Sequence, residues 1–154
     1  MPNYAEPLVP FSAEEYNAFI HGSQLLGIDT TNLHADRLRP GAAPTTSYEL
    51  ESNFSVVDKS LFLRFECTAT LKGDDGEPVA HVRVAMVLAF SFVGPEPSVA
   101  VVQRFTENVG LMMITPNLRE AIHSTALRLG YTGVTLPIMK ANLDVAIEPV
   151  EANN

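Results

Sequence analysis

The middle of the chain alternates apolar and polar residues with a period of two. Tyr48, Leu50, Phe54 and Val56 interleave with Glu49, Glu51, Asn53 and Ser55, the pattern of a strand with one buried face. Leu61, Leu63, Phe65, Cys67, Ala69 and Leu71 repeat it against Arg64, Glu66, Thr68 and Thr70. A third run, Val79 to Val93, puts Val82, Val84, Met86, Leu88, Phe90 and Phe92 on one side. Its other side begins with His81 and Arg83 but continues with Ala85, Val87 and Ala89, so half of this strand is apolar on both faces. Asp58-Lys59 and Gly73-Asp74-Asp75-Gly76 separate the runs as tight turns, the second because Asp-Gly tolerates positive φ. Consecutive hairpins predict an antiparallel meander.

On either side of the meander the period becomes helical. Ser12 followed by Ala13-Glu14-Glu15 predicts a capped helix over residues 13–20. Ser23 to Asp29 predicts a first strand, weakened by Gly22 and Gly27, and residues 30–47 then read as a loop centred on Arg39-Pro40-Gly41-Ala42-Ala43-Pro44. Gly94-Pro95-Glu96-Pro97 ends the sheet, and Ser98 predicts a helix over 99–108 with the stripe Val99, Val102, Phe105 and Val109. Thr115 as N-cap and Pro116 at the first helical position predict a separate helix with the stripe Leu118, Ile122, Ala126 and Leu129, stopped by Gly130. The expected fold class is α+β: a four-stranded antiparallel sheet with helices packed on one face. Residues 1–154 read as a single domain with an irregular arm over 1–10 and a loose polar tail over 150–154.

Composition narrows the function class. With 46% apolar residues the 154-residue chain can bury a core, yet it has no uncharged apolar run long enough for a membrane span, and no basic-then-apolar leader. A net charge of -8 with ten dispersed basic residues argues against nucleic acid. The lone Cys67 excludes an internal disulfide framework and fits a reducing cytoplasm, the expected localisation. His21, His34, His81 and His123 have no metal-ligand spacing, and phosphate cradles and nucleophile elbows are missing, so no metal, cofactor or catalytic residue is expected. Cys67 alternates inward and reads as an inert thiol. What stands out is apolar. Phe62 lies on the polar side of its strand, Val87 and Ala89 make the next strand two-faced, and Met112-Met113 and Pro137-Ile138-Met139 put adaptable side chains near both ends of the main helix. Either a second subunit or unfolded polypeptide would cover such a surface.

Leu63-Arg64-Phe65, the run from Cys67 to Leu71, Phe90-Ser91-Phe92-Val93-Gly94, the block Pro116-Asn117-Leu118-Arg119-Glu120-Ala121-Ile122 and Leu136-Pro137 resemble the bacterial SecB-like chaperone family over about residues 20–145. The resemblance implies an ATP-independent holdase, assembled as a dimer of dimers, that grips apolar segments of unfolded clients in long surface grooves. It implies as groove lining the outer sheet face, the loop over about residues 30–47 and the segment after the main helix, with Phe62, Val87, Met112, Met113, Leu136, Ile138 and Met139 as client contacts. Clients would be exported preproteins or, as for SecB-like proteins serving toxin–antitoxin systems, an antitoxin. One departure bears on partners. Family members that dock on the SecA motor use acidic residues on the exposed sheet, whereas Arg83 stands at such a position here, with His81 two residues before it. The acidic C-terminal extension is reduced to Glu148 and Glu151. Both changes speak against SecA and for the antitoxin role. Two other readings compete. A hot-dog-like small-ligand protein or enzyme would need a closed pocket with a convergent acid, His or Asn beside His123 or His81. A structural phage or adaptor subunit would bury every exposed apolar residue in its interfaces.

Overall fold

The computed structural model describes residues 12–132, Val134 and the backbone of 147–149. In chain order the elements are α1 (Ala13–Gly22), β1 (Ser23–Arg37), β2 (Thr45–Val57), β3 (Ser60–Lys72), β4 (Pro78–Phe92), α2 (Val99–Phe105), a π-helical turn (Thr106–Gly110), α3 (Leu111–Arg128) and a short β5 (Ile147–Pro149). The sheet order is β1-β4-β3-β2-β5. β1 to β4 form an antiparallel sheet, as the alternation predicts, and β5 adds three residues in parallel on the outside of β2.

The turns behave as their residues dictate. Asp58 and Lys59 take positive φ of 45° and 64°, the two-residue reversal that matches strand twist. Gly76 supplies the positive φ of the next turn, where Gly76 N–H donates to the Gly73 carbonyl over 3.0 Å. On β3 every odd-numbered residue from Leu61 to Leu71 is buried, and these side chains meet Val82, Val84, Met86, Leu88 and Phe90 of β4 under the helices. α3 lays Leu111, Ile114, Leu118, Ile122 and Ala126 on this surface. α1 is anchored through Phe19, whose ring lies 5.6 Å from Phe92 and 5.1 Å, edge-on, from Phe105.

Three expectations are corrected. First, β1 does not end at Asp29 but runs to Arg37, and the connection to β2 shrinks from residues 30–47 to 38–44. Register slips after Leu25 and after Thr30 leave Leu26 and Thr31 as bulge residues. Each slip shifts the phase of alternation by one residue, which hides the strand from a period-two reading. Second, the helices predicted over 99–108 and from Thr115 are one continuous helical rod interrupted by the π turn. Third, Thr115 is not a cap: its hydroxyl donates to the Leu111 carbonyl over 2.6 Å, and Pro116 lies inside α3. A proline inside a helix costs about 3 kcal/mol. Burial of Leu111 and Ile114 in the preceding turn, at about 1.5–3 kcal/mol each, offsets that cost and holds the helix together.

Gly110 permits the close approach of this rod to the sheet. A β-carbon there would lie 3.0 Å from Leu63 Cδ1 and 3.2 Å from Phe65 Cζ. At the other end Gly130, with φ +89°, closes α3. Tyr131 N–H reaches back to the Ala126 carbonyl and Gly130 N–H to that of Leu127, both at 3.0 Å, completing a Schellman cap. The cap turns Tyr131 inward, where the buried ring carries its hydroxyl to the carbonyls of Val79 (2.7 Å) and Arg39 (2.5 Å). Arg39 in turn donates to Asp75 Oδ1 at 2.6 Å and to the Glu77 carbonyl at 3.3 Å. The exit of α3, the β1–β2 connection and the β3–β4 turn are thereby fastened to one another.

Candidate functional site

The residues singled out for client contact fall on two opposite sides of the sheet. Phe62 and Val87 lie on the outer face, away from the helices, both half-buried. Phe62 is registered with Ala89, and Val87 with Arg64 on one side and Asp29 on the other. Together with Gly27, opposite Ala89, they make a shallow apolar patch. Met112 and Met113 open α3 in the helix layer, where Met112 is 74% exposed and Met113 36%. Leu136, Ile138 and Met139 lie outside the described residues. No single groove contains all of the described candidates.

Beside the outer patch is an ionic cluster. Glu66 accepts from Arg64 Nη2 at 2.8 Å through one oxygen and from Arg83 through the other, with Arg83 Nε at 2.5 Å. Its carboxylate side chain is only 13% exposed, whereas both arginines reach solvent. The Arg64 hydrogen bond above all holds the Glu66 carboxyl below the usual carboxylate range; burial opposes it, and the Arg83 hydrogen bond adds to the lowering. Arg83 is therefore not an isolated reversal of charge. Its guanidinium is half of a clamp on Glu66, and the trio carries one net positive charge. His81 is half-buried at the strand's start, with Nδ1 3.3 Å from Thr70 Oγ1.

A second apolar surface escaped the sequence reading because it sits on the bulged strand. Leu25, Ile28 and Leu33 of β1 are registered with Phe90, Leu88 and Val84, which places them on the helix side of the sheet. Leu25 and Leu33 remain 38% and 47% exposed, since the helix layer rests on β4 and β3 and leaves the outer strand uncovered. The bulge residue Leu26 and Leu38, just beyond the strand, are exposed as well. The signal was present in the leucines themselves; the two bulges disguised which face they share.

On the far side of α3 an open groove of about 480 Å³ is lined by Thr115, Pro116, Arg119, Glu120, His123 and Val134. Beyond it lies β2, whose Tyr48 hydroxyl is pushed up from its ordinary value by burial while the Arg119 charge acts in the opposite direction. The helix-side face of β2 presents Tyr48, Leu50, Phe54 and Val56 together with two buried hydroxyls, Thr46 and Ser52, that have no hydrogen-bond partner among the described residues. The groove is a surface feature, unlike the closed pocket that a small-ligand enzyme beside His123 requires. Among the described residues no group of three His, Cys, Asp or Glu side chains is placed to hold a metal. Cys67 is fully buried and its thiol is pushed up to about 12 by that burial, which makes it inert at neutral pH. No described helix is long and apolar enough to cross a membrane.

No protein-family model matches the sequence, and no curated protein sequence matches it significantly. Comparison with solved structures finds the Mycobacterium tuberculosis SecB-like chaperone Rv1957 in complex with a ChAD peptide from the Rv1956 HigA1 antitoxin. The TM-score is 0.69 at 19% sequence identity, and the likeness covers 82% of this chain and 97% of that one. With so little sequence in common, what the two share is the backbone architecture, and the chain described here has a SecB-like fold.

Proposed function

We propose that the protein is an ATP-independent holdase of the SecB-like kind, which keeps unfolded polypeptides soluble by covering their apolar segments. One observation carries the reading. The architecture is that of a SecB-like chaperone solved with a bound antitoxin peptide, over nearly the whole of that chain. The surface supports it: large apolar side chains are exposed on both flanks of the helix layer, Leu25 and Leu33 on β1 and Met112 and Met113 on α3. An extended client burying a few side chains there gains about 25 cal/mol per Å², less the cost of ordering it, and several such sites on one assembly add through effective concentration. Methionines tolerate varied client shapes.

The assembly we propose is a homo-oligomer, a dimer of dimers, in which subunit contacts cover part of the exposed β1 leucines. Clients of the antitoxin type fit better than SecA-coupled export, because Arg83 stands where an acidic docking residue is expected and its guanidinium, with that of Arg64, neutralises Glu66. Light scattering on size-exclusion fractions tests the reading, with the protein alone and after mixing with a chemically denatured, slow-folding polypeptide without ATP. A discrete oligomer that gains one client mass supports it. An unchanged oligomer beside aggregated client refutes it. Binding to SecA with ordinary affinity, unaltered by Arg83→Glu, would overturn the argument drawn from Arg83.

A further inference from the structure

α1 is held to the rest of the molecule by little. Tyr16, Phe19 and Ile20 form its inward stripe, but of its ten residues only Phe19 is buried. Two polar tethers accompany the ring, both at the long end of hydrogen bonding. Ser98 N–H donates to Glu15 Oε1 over 3.3 Å, and Asn108 Nδ2 donates to the Tyr16 hydroxyl over 3.3 Å. A helix this short does not hold itself together in water, so α1 keeps its shape by being seated. Its seat is built without it. Phe90 and Phe105 meet edge-on at 4.9 Å, Phe92 follows on the same face of β4, and the Lys59 ammonium covers Phe92 at 5.6 Å from the ring centroid. With Phe19 these rings are four of the chain's eight phenylalanines, so the socket is aromatic rather than merely apolar. α1 leaves part of its rim bare. Val93, whose N–H donates to the Gly22 carbonyl, is 75% exposed, and Val99, next to the Ser98 N–H that Glu15 holds, is 48% exposed.

We propose that the socket of Phe90, Phe92 and Phe105 is a docking site for a partner's amphipathic helical segment, one with a carboxylate four residues before an aromatic ring, and that α1 is its resident occupant. The inference goes beyond the holdase reading and does not rest on it, because the ligand is a helix of defined chemistry instead of an extended chain of any sequence. α1 itself displays the recognition pattern. Glu15 and Phe19 lie one turn apart on one face, so carboxylate and ring reach the Ser98 N–H and the socket together. An aromatic ring is preferred to leucine because Phe19 and Phe105 meet edge-to-face at 5.1 Å, a geometry that an aliphatic side chain does not reproduce. Tethered beside the socket, α1 acts at a roughly millimolar effective concentration and excludes weak competitors. A partner helix displaces it by covering what α1 leaves open, Val93 and Val99, in the manner of helix-in-groove recognition. α1 is thereby a filter that admits only segments with a longer apolar face than its own.

The test uses the full chain and a dye-labelled peptide spanning Ser12 to Ser23, with binding read by fluorescence anisotropy. Phe19→Ala in the protein vacates the socket, whereas wild type keeps it filled. The peptide should bind the Phe19→Ala protein at least about tenfold more tightly than wild type, because apparent affinity scales with the fraction of open socket. Peptides carrying Phe19→Leu or Glu15→Ala should bind that protein several-fold more weakly than the parent peptide. Protection of the α3 amides from exchange establishes that the Phe19→Ala protein is folded. Where it is not, Phe19→Leu in the protein takes its place, and the same preference, smaller in size, is expected. Equal peptide binding by the folded variant and wild type, or binding by neither, overturns the inference, as does binding that ignores both peptide changes. Displacement of the peptide by added wild-type protein would make a second copy's α1 the occupant and overturn the assignment to a different partner. The holdase reading stands or falls separately, on whether denatured polypeptide is held without ATP.

Discussion

Tyr131 offers the sharpest test of how the sheet, the β1–β2 connection and the exit of α3 are held together. Its hydroxyl lies 2.7 Å from the Val79 carbonyl and 2.5 Å from that of Arg39, but it has one proton to give. Tyr131→Phe therefore removes the equivalent of one hydrogen bond, about 1 kcal/mol, without opening a cavity. Val79 keeps other donors, Leu38 N–H at 2.9 Å and Arg39 N–H at 3.2 Å, so the stranded group is the Arg39 carbonyl. For a chain of this size, about 1 kcal/mol corresponds to a fall of about 2–4 °C in Tm. Tyr131→Ala also removes a fully buried ring, at about 3–5 kcal/mol. It takes away the surface that the Arg37 guanidinium covers at 5.8 Å from the ring centroid. Thermal melts combined with amide exchange separate the two contributions. In Tyr131→Phe the Leu38 and Arg39 amides should exchange faster while those of β3 hold. A Tyr131→Phe protein with wild-type melting and wild-type exchange at Leu38 and Arg39, beside a strongly destabilised Tyr131→Ala, would show that the ring matters and the latch does not.

Glu66→Gln should cost on the order of 1 kcal/mol at neutral pH, a charged hydrogen-bond pair discounted for the exposure of both arginines. Because the folded carboxyl lies below its ordinary value, that contribution is complete above the unfolded carboxylate range and disappears as pH falls through the depressed value. Urea titrations of wild type and variant should thus converge in acid; a difference that persists or grows there would contradict the clamp. Cys67 should resist a thiol reagent at pH 8 and react only when denaturant unfolds the chain, since burial holds its pKa at about 12; rapid labelling of native protein would contradict its burial. Gly110→Val should destabilise by about 1–3 kcal/mol through overpacking against Leu63 and Phe65, measured as a lower urea midpoint, and a neutral result would mean that the rod can lift off β3.

The meander was readable because its strands keep one phase over nearly their whole length: Leu61 to Leu71 never slips, β4 slips only at Val79 beside its turn, and both turns carry residues that take positive φ. β1 was half readable. Leu25, Ile28, Leu33 and Ala35 share a face only once Leu26 and Thr31 are set aside as bulges, and nothing local in the sequence marks them as such. The helix rod failed for the opposite reason, a local signal that was too persuasive. Thr115-Pro116 reads as a helix start, but the burial of Leu111 and Ile114 is decided by the sheet, a long way off in sequence. Of the candidate contacts, alternation placed Phe62 and Val87 on the outer face, whereas Met112 and Met113, expected between two helices, lie in the first turn of α3. That the two groups lie on opposite sides of the sheet follows from which face the helices choose, and both faces of β4 were apolar enough to accept them.

The same two-faced strand changes what Arg83 can be asked to explain. On the outer face Arg64 and Arg83 bind Glu66, Glu51 is registered with Glu66, and Asp29 with Val87, so charges of both signs lie close together. Such a chequered surface has little field beyond a Debye length, about 8 Å at physiological salt, and gives little steering to a charged partner arriving from solution. Recognition there has to happen at contact, through the patch of Phe62, Val87 and Ala89 and the geometry of the clamped guanidinium groups. A partner docking on this face by that route should keep its association rate when salt is raised, whereas a partner attracted by the net charge of -8 should lose it. The helix-side surfaces differ in kind: exposed leucines on β1 and methionines on α3 offer apolar area with no demand on charge. Polypeptides of varied sequence need such area, so under the holdase proposal the exposed helix-side leucines and methionines offer a client more than the half-buried Phe62 and Val87 of the outer face.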